Sequence, residues 1–217
     1  MNNISKHLSL SILILSLFAC SKENVPQNTN EAKSQKQSAQ PVEQPAIAPE
    51  DDPKLTGTPV LGFKLRDSTY DSVKKRLQNY QVSDDKSYAG GPILENDGSG
   101  FDIDGLQATQ FGFDQNNKLV YVWMSVKEAD HMGKATYKKL VSYIKQRDYK
   151  VVRSVEPFVG NRSTEFSTPN HEIINVNSPH MDFNIYVEYL TQEFAQERNK
   201  IQQQSKEEKV NKESNNF

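Results

Sequence analysis

Few side chains in this 217-residue chain could do chemistry, and they are scattered. The lone thiol, Cys20, ends an apolar run in "LSLFACSK". One cysteine can form neither an intrachain disulfide nor a thiolate zinc cluster. The four histidines, His7, His131, His171 and His180, show no His-x-x-x-His or His-Glu pattern that would set two ligands on one helix face. There is no Gly-x-Ser-x-Gly elbow and no Walker-type loop, and Gly98-Ser99-Gly100 leads towards a strand, without the helix dipole that holds a phosphate. The best-spaced pair is Asp102 and Asp104 in "NDGSGFDIDG". On a strand both would project to one face, where paired carboxylates can bind a hard cation or perform acid–base work. The spacing fails that of an EF-hand, and acidic residues at a strand edge also discourage edge pairing.

The residues before Cys20 explain the thiol better than any reaction does. Met1–His7 is short and polar with Lys6 positive, and Leu8–Phe18 is apolar apart from three serines. A spanning helix needs about 20 apolar residues, so the run is too short to be one. A basic start, a brief apolar middle and a small residue at the end make a signal peptide over residues 1–19. Leu17-Phe18-Ala19-Cys20 resembles the lipobox of bacterial lipoproteins, with Phe18 where a small or β-branched residue is usual. The resemblance implies a diacylglyceryl group on the Cys20 thiol, cleavage before it and a palmitate-type acyl anchor. Two or three acyl chains hold a domain on a bilayer where one would not, at about 0.8 kcal/mol per buried methylene. Ser21 follows, where an enterobacterial inner-membrane protein would carry aspartate. The expected location is therefore the outer membrane, facing the periplasm.

Behind the cysteine, residues 20–55 are rich in Gln, Asn, Ser, Pro and Lys without an aromatic residue. Such a stretch cannot bury enough apolar area to offset its ordering entropy, so a disordered tether is expected. It would span roughly 30 Å as a coil and about 110 Å pulled straight. Residues 56–190 read as one α+β domain. "PVLGFKLR" (Pro59–Arg66) reads as a first strand. In "DSTYDSVKKRLQNY", Tyr70, Val73, Leu77 and Tyr80 lie on one helical stripe, with Ser68 or Thr69 as cap. "GGPILENDGSG" reads as turns around a short apolar pair. "FDIDGLQATQFGF" and "KLVYVWMSV" read as strands around a tight "DQNN" loop. In the second, Leu119, Tyr121, Trp123 and Ser125 share one face and Val120, Val122, Met124 and Val126 the other. Both faces are largely apolar, which predicts a central strand with Trp123 under a helix. "KATYKKLVSYIKQRDY" places Tyr137, Leu140, Val141 and Ile144 at the spacing of a helix lying on a sheet. "YKVVRSV", "STEFST", "EIINVN" and "DFNIYVEYL" complete the strands. Connections too short for crossovers predict a mostly antiparallel sheet with two helices packed on it. Residues 191–217 carry few apolar anchors and are expected to form a helical extension that frays.

"TYDSVKKRL" (Thr69–Leu77) is similar to the T-x-x-x-V-x-x-x-L stretch opening the first helix of BamE/SmpA-type lipoproteins. That resemblance implies a small α+β envelope protein that assists assembly by binding partners, and it carries over no functional residue. A formal net charge of −2, with bases and acids intermixed, gives no support to nucleic-acid binding. No cofactor is implied. Tyr88, beside Gly and Pro in "DKSYAGGP", and Phe158, between Pro157 and Gly160, are the loop aromatics expected to contact a partner. The function expected is a membrane-anchored lipoprotein acting as a non-catalytic protein-binding or assembly module. The alternatives are an envelope hydrolase or metal-dependent enzyme whose site is assembled from scattered residues, and a small-ligand or peptidoglycan binder. Deleting Ser21–Lys54 should leave the domain's thermal midpoint within about 2 °C, the shift of a change well below 1 kcal/mol. A fall of many degrees in a calorimetric scan would show that the segment packs.

Overall fold

The computed structural model describes residues 56–216; the expected signal peptide, Cys20 and the expected tether lie outside the described residues. Described first is a hairpin, β1 (Pro59–Val60) and β2 (Phe63–Lys64), where the sequence reads as a single strand. Leu61 and Gly62 both have positive φ (51° and 77°), the geometry of a type I′ turn, which reverses the chain after two residues. Helix α1 (Tyr70–Arg76) follows. Its cap is Thr69 rather than Ser68: the Thr69 hydroxyl accepts the Ser72 N–H, and Ser72 Oγ accepts the Thr69 N–H. The helix stops where Leu77 turns extended, and with Asn79 left-handed after it Tyr80 opens strand β3 (Tyr80–Val82) instead of extending the helix.

Strand β4 (Gly90–Asn96) runs through the stretch read as turns. Its pairing slips between Gly90 and Ile93, around Pro92, which has no N–H to give the ladder. Strands β5 (Leu106–Asp114) and β6 (Leu119–Lys127) form the expected hairpin, held by Asp114 Oδ1 accepting the Asn116 and Lys118 N–H groups. After helix α2 (Ala135–Lys145) come β7 (Lys150–Val155), β8 (Arg162–Ser167), β9 (Ile173–Ser178) and β10 (Asn184–Leu190). The fold is α+β. Eight strands form one antiparallel sheet in the order β3-β4-β5-β6-β10-β9-β8-β7. The chain thus runs twice through a helix and a four-stranded meander, and the two meanders meet where β6 pairs with β10.

Val73 of α1 with Leu77 just after it, and Tyr137, Val141 and Ile144 of α2, join one buried cluster with Phe111, Val122, Met124, Val176, Ile185 and Val187 of the sheet. Tyr137 also hydrogen-bonds Thr164 through their hydroxyls at 2.8 Å. The opposite sheet face carries Trp123, stacked on Tyr186 at 5.7 Å, so Trp123 is half-buried on a central strand and not in the cluster that contains α1 and α2. The expected face grouping also fails at Leu119. An extra residue at Val120 lets Leu119 pair with Phe113 in the core, while Val120 turns to Leu190 and Phe194. A third helix, α3 (Gln192–Ser214), forms where a fraying helical extension is expected, and it runs unbroken to Ser214. Thr191 caps it, Phe194 stacks on Tyr121 at 4.6 Å, and from Asn199 onwards every described residue is exposed.

Helix α2 has no side-chain cap of its own, since Lys134 at that position is left-handed and makes none. The buried carboxylate of Glu128 does the work instead. Its Oε1 accepts the N–H groups of Asp130 and Thr136 at 3.1 and 2.9 Å, and Oε2 accepts that of Tyr137 at 3.3 Å. Burial pushes its pKa up, but the backbone donors from Thr136, Asp130 and Tyr137 outweigh burial and hold it below the usual carboxylate range. A depressed folded pKa means stability that is fully present above the unfolded pKa and is lost as pH falls through the folded value. Glu128→Gln should therefore cost about 1–3 kcal/mol at neutral pH. In urea titrations the gap from wild type should narrow as pH drops below about 4.

Candidate functional site

The antiparallel ladder divides the sheet's connections between two ends. The chain enters at one end, where Thr58 N–H donates to the buried carboxylate of Glu172 at 3.0 Å and Arg66 bridges Glu172 and Glu193. Helix α3 leaves from the same end. At the other end lie the β6–α2 loop (128–134), the β7–β8 loop (156–161) and the β9–β10 loop (179–183).

Among the described residues, the five most exposed large apolar side chains lie at this far end. Phe158 is 97% exposed, Met132 92%, Met181 83%, Val159 66% and Phe183 62%. All five line one open cavity of about 480 Å³, with His131, His180, Lys134, Arg162 and Asp182 also in its wall. Isolated apolar residues on a surface are ordinary, whereas a group from three loops marks an interaction site. The loops are braced against each other. Glu128 N–H donates to Phe183 O at 2.8 Å, His180 N–H donates to Asn161 Oδ1 at 2.7 Å, and the His131 ring meets Phe183 edge-on at 4.4 Å. Met181 is held at φ 63°, a costly backbone for a side chain of its size.

The residues singled out in the sequence separate. Phe158 belongs to this cluster. Tyr88 lies at the opposite end, partly exposed, with its ring against Phe194 at 6.0 Å. His171 sits in the β8–β9 turn with φ 59°, away from His131 and His180. Asp102 and Asp104 do not lie on a strand. They occupy the irregular stretch before β5, both exposed, on the rim of a groove of about 740 Å³ shared with Lys127, His131, Lys139 and Tyr143. Asp104 makes a loose ion pair with Lys139 at 3.9 Å. Among the described residues no three His, Cys, Asp or Glu side chains group as ligands for a metal ion, and no helix is long and apolar enough to cross a membrane.

Met132, Val159, Met181 and Phe183 are not among the candidates read from the sequence. A signal for two of them was present: "DHMG" (130–133) and "PHMD" (179–182) repeat a His-Met pair between turn-forming residues. Replacing both Asp102 and Asp104 by Ala should change stability by less than about 0.5 kcal/mol, as solvated surface sites do. Millimolar calcium should leave the melting point of wild type and variant alike; a calcium-dependent rise in wild type alone would restore the carboxylate pair as a site. No family model, no curated protein and no solved structure matches the chain.

Proposed function

We propose that this chain is a lipid-anchored protein of the bacterial envelope, held by an acylated Cys20 at the outer membrane, and that it works by binding another envelope protein without catalysis. The observation that carries the binding role is the bare apolar cluster of Met132, Phe158, Val159, Met181 and Phe183 at the end of the sheet away from the chain's entry. Fully burying one such side chain is worth about 1.5–3 kcal/mol, so leaving five in water forgoes a gain that a partner can realise. Phenylalanine and methionine suit this use: the ring supplies rigid contact area and the thioether adapts to an uneven surface. Entry at the opposite end leaves the cluster free to meet a partner while the anchor holds the chain.

Cys20→Ser should leave the protein unprocessed or displaced from the membrane fraction; normal fractionation would sink the lipid anchor. A photo-crosslinking residue at position 158 should trap a defined envelope protein in cells, and Phe158→Asp combined with Met181→Asp should weaken that association at least tenfold. Since both side chains are exposed, the double variant should keep its melting point to within a few degrees. Adducts from position 88 but none from 158 would move the interface to the other end of the sheet.

A further inference from the structure

The chain has four methionines and four histidines, and two of the methionines directly follow a histidine: His131-Met132 and His180-Met181. The two pairs lie about fifty residues apart in sequence, yet the fold brings them to one place. Their loops leave the two paired strands β6 and β10, where Lys127 faces Asn184, and the Glu128–Phe183 backbone hydrogen bond ties one loop to the other. All four side chains line the same open cavity. From this convergence we infer that His131, Met132, His180 and Met181 form a binding site for a soft monovalent cation, with Cu(I) as the ion it fits.

The donor set makes the selection. Two thioether sulfurs and two imidazoles are the ligands of a soft ion; magnesium and calcium require oxygen, and zinc favours thiolate, imidazole or carboxylate over thioether. Of the nearby carboxylates, Asp130 does not line the cavity, and both Asp130 and Asp182 accept hydrogen bonds within their own loops. Asp130 Oδ1 accepts the N–H groups of Met132 and Gly133, and Asp182 accepts those of Asn184 and the Tyr186 hydroxyl. Lys134 and Arg162 stand in the same wall, and their charge opposes a divalent ion more than a monovalent one. The site also accounts for two methionines that are 92% and 83% exposed, where any ordinary core use would bury them. It rests on the donor set and does not depend on the protein-binding reading.

The test uses the full chain carrying Cys20→Ser, which removes the only competing thiol. Cu(I) is titrated against the colorimetric chelator bathocuproine disulfonate under reducing conditions, and Ag(I), its redox-inert stand-in, is followed by NMR of the methionine methyl groups. The expected result is one Cu(I) held per chain, with Ag(I) shifting the methyl signals of Met132 and Met181 but not that of the buried Met124. Met132→Leu with Met181→Leu keeps the apolar bulk and should lower Cu(I) affinity at least tenfold; His131→Gln with His180→Gln should do the same. Zn(II) should leave the methionine methyl signals in place. Failure to hold Cu(I) against the chelator, or binding that survives the double leucine substitution, would overturn the site. The leucine variant should retain the crosslink from position 158, so the metal site and the partner surface can fail separately.

Discussion

Everything in this molecule depends on the pairing of β6 with β10. Each meander is built from neighbours in sequence, and its contacts form across short loops. The two halves are joined by a ladder between Leu119–Lys127 and Asn184–Leu190, in which all seven residues of β10 find a partner. Closing a loop of some sixty residues is the main entropic cost of this topology. Val122, Met124 and Val126 meet Ile185 and Val187 at that seam, so the residues that close the ladder also fuse the core that contains α1 and α2. The same seam sets the β6–α2 and β9–β10 loops side by side.

Two buried carboxylates fix what the seam leaves loose. Glu128 collects three backbone N–H groups and thereby starts α2 and shapes the β6–α2 loop. Glu172, at the other end, accepts the Thr58 N–H and pairs with Arg66, which binds the entering segment to the β8–β9 turn and, through Glu193, to α3. A buried carboxylate without such partners would be a heavy penalty, so each position constrains the backbone around it. The loops at both ends are therefore positioned by polar groups, while the apolar core holds the sheet between them.

The sequence is most readable where one physical pattern dominates. Alternation in β10 and the 3.6-residue stripe of Tyr137, Val141 and Ile144 on α2 come through directly. Local turn geometry hides the rest. Leu61-Gly62 reverses the chain inside an apolar run, Pro92 sits in a strand because a bulge excuses its missing donor, and the extra residue at Val120 exchanges faces. Trp123 shows why a two-sided apolar strand is ambiguous, since either face could take the helices. The cluster at the far end was legible only in fragments. Phe158 stands out beside its proline and glycine, and the two His-Met pairs are visible as words, but their meeting follows from a long-range ladder that no local pattern encodes.

The β1–β2 hairpin is not hydrogen-bonded into the eight-stranded sheet, and the chain ahead of it is joined to the rest through Thr56, Gly57 and Thr58. A pull on that chain meets the Thr56–Asn170, Gly57–Asp67 and Thr58–Glu172 hydrogen bonds in turn before it reaches the hairpin. Asn170 and Glu172 stand in the β8–β9 turn, so the first load falls on that turn. Local opening at a terminus costs far less than global unfolding, so the chain loosens at this clasp while the sheet and the far-end loops keep their shape.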